Sequence, residues 1–209
     1  ITPGDADEEV REIKLEISKK EFEVELGQSI GVLVSGPHDF GNENHLRMYT
    51  VAGIEKNEET GNPNVEILVK RCSYVDDYSG EKYKGVASNY LCDRHIGENV
   101  TLAGPYGLPF EIPADKTSPI LMIGMGTGVA PFRAFVKKIY EEIGGWQAKV
   151  RLFHGARTGL ELLYMNEERD DFASYYDQET FKAFKAVSPR PHWDDPCLLY
   201  TSPSPRDRQ

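Results

Sequence analysis

A two-domain chain, an antiparallel β-barrel domain followed by a partial α/β doubly wound domain, is the fold class this 209-residue sequence predicts. Two observations carry it. Up to about residue 113 the chain is a succession of short β-type runs separated by Gly, Pro and Asn turns, the pattern of an all-β barrel or sandwich. Beyond Pro113-Ala114-Asp115-Lys116 the pattern changes to strand–helix alternation, which specifies a parallel sheet. The expected division is an acidic, mobile N-terminus over 1–9, a barrel over 10–115, a partial α/β domain over 116–193, and a tail of non-native character over 194–209.

In order, Glu12–Ile17 and Glu21–Leu26 alternate apolar and polar residues as half-buried strands do, and Gln28–Val34 is a more apolar strand. A Gly/Pro/Asn loop over 36–44 precedes strand-like runs at Arg47–Ile54 and, after a polar turn, at Val65–Cys72. Tyr74–Lys84 reads as a polar loop, Asn89–Cys92 as one or two helical turns, and Val100–Ala103 as a short strand before the turn Gly104-Pro105-Tyr106-Gly107. The second half reads as strand 120–124, helix 130–142, strand 149–154, helix about 160–170 and strand Phe184–Val187. Three strands are few for a doubly wound domain, which has five or six. The segment Cys197–Gln209 breaks with the preceding composition and resembles a translated sequencing-adapter read, the alternative being a natural Ser/Pro/Arg linker. Together with Ile as first residue, it predicts a fragment truncated at its C-terminus.

A net charge of −10 argues against nucleic acid or an anionic membrane surface as partner, because either would call for a basic patch. No apolar run reaches the ~20 residues that span a bilayer. Three cysteines without metal-ligand spacing suit a reducing, cytoplasmic compartment. No metal site is expected, and His38, His45, His95, His154 and His192 read as surface or structural residues.

The stretch Ile120-Leu121-Met122-Ile123-Gly124-Met125-Gly126-Thr127-Gly128-Val129-Ala130-Pro131-Phe132-Arg133 is the sequence form of strand, tight turn and helix. Such a turn aims free backbone N–H groups and the helix dipole at an anion. Pro131 suits the first helical position because it wastes no donor. By itself the stretch is equally compatible with a turn that binds nothing. In Arg47-Met48-Tyr49-Thr50 a phosphate-gripping cation lies beside a ring able to stack on a heteroaromatic; the competing reading is a surface Arg next to a half-buried Tyr. Gly85-Val86-Ala87-Ser88 opens a helical segment and offers a second anion site, or merely an N-cap at Ser88.

These motifs, with Gly104-Pro105-Tyr106-Gly107 between them, stand in the order and near the spacing of the ferredoxin-NADP reductase family. Gly27-Gln28-Ser29-Ile30-Gly31-Val32, Val69-Lys70-Arg71, Ser88-Asn89-Tyr90-Leu91-Cys92-Asp93 and Leu162-Leu163-Tyr164 are similar to its plant-type branch, over about residues 10 to 188. Benzoyl-CoA oxygenase reductase components look similar over the same stretch. The resemblance implies an FAD-binding barrel followed by a pyridine-nucleotide domain. It implies that Arg47 neutralises the FAD pyrophosphate, Tyr49 stacks on the isoalloxazine, and Thr50, where the family usually has Ser, places a hydroxyl near flavin N5. Met48 is carried along in the same tetrapeptide. Lys70, Gly85, Val86 and Ser88 would line the FAD phosphates, and Tyr78 would stack on the adenine. Thr127 would sit where nicotinamide meets flavin, with Gly126, Gly128 and Pro131 shaping the nucleotide turn. Catalysis would rest on Tyr49, Thr50 and Thr127. Arg157, Ser188 and Arg190 would discriminate the 2′-phosphate, which inclines the reading to NADPH over NADH.

The implied activity is hydride transfer between NAD(P)H and flavin, with single electrons passed to or from a ferredoxin-like carrier. Within the same class the alternative is the reductase component of an aromatic or acyl-CoA oxygenase; outside it, a non-enzymatic flavin-binding electron-relay subunit. The chain lacks the family's C-terminal Cys-Gly motif and terminal aromatic, so poor turnover is expected of it. An acidic carrier would need a local basic patch, for which Arg133, Lys137 and Lys138 are the candidates.

Overall fold

A computed structural model of the protein describes residues 1–2, 8–19, 21–36, 43–75, 78–166 and 169–188. The first half forms a five-stranded antiparallel sheet from β1 (Val10–Glu16), β2 (Ser29–Ser35), β3 (Asn44–Lys56), β4 (Pro63–Lys70) and β7 (Thr101–Tyr106), in the order β1-β4-β3-β2-β7. A small hairpin, β5 (Ser73–Val75) with β6 (Lys82–Lys84), leads into the helix α1 (Val86–Cys92). The sheet curls around α1. Ile30, Val32, Val51, Val65, Ile67 and Val69 form one core with Ala87, Leu91 and Cys92, and both edge strands contribute to it through Ile13, Leu15 and Leu102.

The second half is a parallel sheet of β8 (Ile120–Met125), β9 (Val150–Ala156) and β10 (Phe181–Val187), in the order β10-β9-β8. After β8 a 3₁₀ turn, Gly126–Val129, delivers the chain to α2 (Ala130–Lys137), with Pro131 in its first turn, and a π-helical turn follows at Lys138–Glu142. Along β8 burial alternates. Ile120 and Met122 pack with Val129, Phe135, Val136 and Ile139, while Leu121, Ile123 and Met125 on the other face are exposed, as are Phe153 and Phe184. Among the described residues the sheet therefore carries helix on one face, half of a doubly wound arrangement.

The period-2 geometry of strands explains how the two halves join. On β4, Val65, Ile67 and Val69 point into the barrel core, whereas Leu68 belongs to the core built on α2; on β3, Val51 and Ala52 divide in the same way. On the same outer side Glu66 is buried and meets Arg133 of α2 at 3.4 Å. Arg133 also reaches Asp171 at 2.5 Å and Glu12 at 3.5 Å, and its guanidinium lies 4.7 Å from the ring centroid of buried Tyr164. The Tyr164 hydroxyl donates to Glu12 at 2.7 Å. Arg133 is thus spent on joining the halves, and the docking patch expected from Arg133, Lys137 and Lys138 loses its first member; Lys137 and Lys138 remain exposed.

Three expected elements differ. Tyr74–Lys84, expected as a polar loop, carries the β5–β6 hairpin, in which Tyr74 pairs with Tyr83. Glu21–Leu26 keeps its alternating burial, with Phe22 and Val24 packed on the barrel core, but forms no ladder. Its ends are closed locally, by Phe22 N–H to Lys19 and Gln28 N–H to Glu25, and the Leu26 carbonyl accepts from Phe110 N–H instead. The segment near 160–170 is no helix. Leu162, Leu163, Tyr164 and Met165 are all buried, which one face of a helix cannot achieve, and Tyr164 takes φ 63°. Tight turns over 158–165 replace i→i−4 bonds.

Gly124 is the glycine on which the strand-to-helix turn depends sterically. A Cβ there would lie 2.9 Å from Val129 Cα, a backbone atom that cannot swing aside. Gly124→Ala is expected to destabilise the protein by about 1–3 kcal/mol, the usual cost of overpacking. Urea unfolding read by tryptophan fluorescence checks this, and an unchanged midpoint would contradict the close packing.

Candidate functional site

The antiparallel and parallel halves face each other across a cleft with two connected cavities. The larger, ≈ 780 Å³, falls within the range typical of ligand pockets. It exists because of how β3 is paired. That strand bonds to β2 over residues 44–50 and to β4 only from Val51 onward, with a register shift at Val51/Gly53. From Asn44 to Thr50 its second edge has no strand partner among the described residues and borders the cavity. Arg47, Met48, Tyr49 and Thr50 all line it, and Tyr49 also packs on the barrel core. Burial pushes the Tyr49 phenol up to about 12, only partly opposed by the charge of Arg47, so the ring is neutral at physiological pH.

Opposite stand Lys70, Gly85, Val86 and Ser88. The Ser88 hydroxyl accepts from Cys72 N–H at 3.1 Å and donates to the Gly85 carbonyl at 3.4 Å. Asn89 Nδ2 donates to the carbonyls of both Cys72 and Gly85. The hydroxyl expected to greet an anion is therefore used to brace the Gly85 turn. Thr127, Gly128 and Pro131 close the cavity from the parallel half. A Cβ on Gly128 or Gly126 would meet nothing within 4 Å, and Gly126 has φ +52°, so the turn is bare to an approaching ligand.

The smaller cavity, ≈ 330 Å³, lies at the C-terminal ends of β8–β10. Gly126, Thr127, Arg157 and Ser188 line it together with Lys70 and Glu8. This is the crevice in which open α/β sheets take their ligands. Arg157 is held by Glu161 at 3.0 and 3.2 Å. Arg190 lies outside the described residues.

Of the sequence-predicted site residues, all but Tyr78 and Arg190 come together on this one cleft. The roof residues were missed. Tyr74 and Tyr83 line the larger cavity and stack across the β5–β6 hairpin with ring centroids 5.5 Å apart, whereas Tyr78 is fully exposed and outside the lining. Two three-residue β runs flanking Gly80 were the available signal. His45, Lys84 and Phe110 also line the cavity. Buried His154 is lowered to about 4 by burial, partly offset by the Gly126 backbone, and so stays neutral beneath the glycine turn. Arg47 and Lys84 carry no carboxylate partner among the described residues, although the chain has 34 acidic residues.

Such a cleft, walled by an antiparallel sheet on one side and the C-terminal edge of a parallel sheet on the other, defines a two-lobed α/β-plus-β protein with its cavities at the junction. The chain belongs to the oxidoreductase FAD-binding domain family, whose sequence model matches residues 5–110; that of the oxidoreductase NAD-binding domain matches residues 122–196. It is similar to the cyanelle ferredoxin–NADP reductase of Cyanophora paradoxa, 38% identical over 144 residues, and to the chloroplastic one of Spinacia oleracea, 39% identical over 144 residues. Each match covers 68% of this chain, and the chain spans 39% of the length of each relative. The fold is similar to that of Plasmodium falciparum ferredoxin-NADP⁺ reductase with 2′P-AMP, with TM-score 0.63 and 20% identity, covering 90% of this chain and 69% of the other. Those plant-type names give cyanelle and chloroplast as compartments, so the cytoplasmic expectation gains no support; no described helix is long and apolar enough to cross a membrane.

Proposed function

We propose that this chain is the flavin-holding and nucleotide-receiving part of an NAD(P)H-dependent flavoprotein oxidoreductase that exchanges single electrons with a ferredoxin-like carrier. The observation that carries it is that Thr127 and Lys70 line both cavities, so a ligand in one meets a ligand in the other at those residues. Residues 10–115 would supply the FAD lobe and 116–193 the nucleotide lobe.

FAD fits the larger cavity chemically. Unpaired Arg47 and Lys84, with Lys70, suit the pyrophosphate; Tyr49 offers a neutral ring for the isoalloxazine; and the Tyr74–Tyr83 pair presents an aromatic face for the adenine. When bound, FAD supplies the chemistry itself, taking a hydride and passing electrons singly. The protein's share is position, water exclusion and charge. Thr50 holds a hydroxyl at the open edge of β3, Thr127 projects from the bare glycine turn at the junction, and half-buried Phe132 with exposed Phe110, stacked 5.8 Å apart, line the cavity. Arg157 and Ser188 in the crevice favour NADPH, whose 2′-phosphate needs a cation and a hydroxyl.

Anaerobic titration of the FAD-loaded protein with NADPH tests the reading through bleaching of the flavin absorbance. A protein that takes up no FAD would sink it; one that binds FAD but is never bleached by NADPH or NADH would leave the electron-relay subunit instead. Tyr74→Ala is expected to weaken FAD by about tenfold, the scale of one base–aromatic stack. FMN, which lacks the adenine, should bind the variant and the parent alike, as flavin fluorescence quenching would show.

A further inference from the structure

Glu8 lines the smaller cavity. One carboxylate oxygen is ion-paired with Nζ of Lys70 on β4 and the other with the Arg157 guanidinium beyond β9. One side chain from the acidic N-terminal stretch thus spans the two halves, and it lines the crevice beside Gly126, Thr127 and Ser188. Arg157 has a second carboxylate, Glu161, which is buried and holds the guanidinium in place whether or not Glu8 is there. Lys70 has no other carboxylate among the described residues. Burial acts to raise the Glu8 pKa, but the hydrogen bonds and charges of Lys70 and Arg157 outweigh it and lower the value, so the group is an anion at neutral pH.

A phosphate entering this crevice would seek the same two cations, because charge-assisted bonds to Lys and Arg are the strong contacts available there. It must displace Glu8 to reach them. We propose that Glu8 is an internal competing anion, a specificity-determining residue that sets how tightly the crevice holds the phosphate of a visiting nucleotide. The inference rests on the crevice being the nucleotide site. A bound phosphate, with more charge and three acceptor oxygens, can replace one carboxylate, whereas a ligand presenting only ribose hydroxyls cannot. Glu8 therefore screens visitors by charge, and it returns to the cations when the visitor leaves.

The test uses the full chain loaded with FAD and measures calorimetric binding of 2′-phospho-AMP and of adenosine. Glu8→Gln, which keeps size and removes charge, is expected to tighten 2′-phospho-AMP by about tenfold, about 1.4 kcal/mol, while adenosine binding stays as it was. Glu9→Gln is the control: the neighbouring carboxylate pairs with Arg71 and Arg11 away from the crevice and should change neither affinity. Glu8→Ala should repeat the gain. Equal 2′-phospho-AMP affinity in the parent and both Glu8 variants would overturn the competing-anion role while leaving the nucleotide crevice standing. Absence of 2′-phospho-AMP binding in every variant, with FAD still bound, would overturn the crevice as nucleotide site and the role of Glu8 with it.

Discussion

Arg133→Met is expected to cost the protein about 3 kcal/mol, the scale on which removing one member of a buried ion cluster destabilises a fold. The side chain of Arg133 is 26% exposed and faces Glu12, Glu66 and Asp171, whose own side chains are 15%, 5% and 18% exposed. Met fills most of the volume but leaves those carboxylates short of one positive charge. Arg169 still serves Glu12 and Asp171, and Lys14 still serves Glu66, which keeps the loss from being larger. For a chain of this size the change corresponds to a fall in Tm of roughly 6–12 °C. Arg133→Lys should recover only part of it, since one ammonium cannot reach three carboxylates and also lie flat on Tyr164. Calorimetric melting at neutral pH measures both, and a variant melting with the parent would show that the halves do not depend on this cluster.

The same cluster sets a pH dependence. Burial alone would raise the Asp171 pKa, yet the hydrogen bond from Arg169 and the charge of Arg133 bring it below the ordinary value of 3.8. A carboxylate with a depressed folded-state pKa stabilises the fold above its unfolded pKa and loses that contribution as pH falls through the folded value. The stability gap between parent and Arg133→Met is therefore expected to be full at neutral pH and to narrow below about pH 4, the unfolded value for Asp. A gap that held constant to the lowest pH at which the protein stays folded would assign the loss to packing rather than to charge.

Much of this was legible in the sequence, for physical reasons that differ by element. Strand alternation and the Gly124–Pro131 stretch are local signals, since backbone sterics and burial period act within a few residues. The Glu21–Leu26 segment shows the limit: its alternation correctly reports which side chains face the core, but the Phe110 N–H takes the carbonyl that a ladder would have used. Buried Leu162–Met165 failed for the opposite reason, because burial on every side erases the period on which a helix reading relies. In the cleft, Arg47, Tyr49 and Thr50 could be found from residue type, whereas Tyr74, Tyr83 and Glu8 depend on a hairpin and a cross-lobe ion pair that no local pattern encodes. Arg133 was visible as a cation and misplaced as a surface one, since its three acidic partners are spread from residue 12 to residue 171.

The second large effect belongs to Arg47. Arg11, Arg71, Arg94, Arg133, Arg157 and Arg169 each pair with a carboxylate and Arg151 donates to the backbone carbonyls of Val150 and Thr180, while Arg47 has no carboxylate partner among the described residues and stands at the open edge of β3 in a chain of net charge −10. In such an acidic protein an unmatched guanidinium beside Tyr49 is best explained by an anion that arrives from outside. If that anion is the FAD pyrophosphate, Arg47→Ala removes one or two charge-assisted hydrogen bonds at about 1.5–3 kcal/mol each. FAD affinity should then fall by roughly 10- to 100-fold. Arg47→Glu, which adds repulsion, should yield protein that purifies colourless. Riboflavin, which presents the same ring without phosphate, separates charge from shape: its weaker binding should be equal in Arg47→Ala and the parent. Lys138→Glu makes the same charge change as Arg47→Glu at an exposed position of the π-helical turn after α2 and should leave FAD affinity alone. Fluorescence-quenching titrations across a series of salt concentrations would show a shallower salt dependence for Arg47→Ala than for the parent. A parallel loss of riboflavin and FAD would place Arg47 in the shape of the cavity and not in its charge.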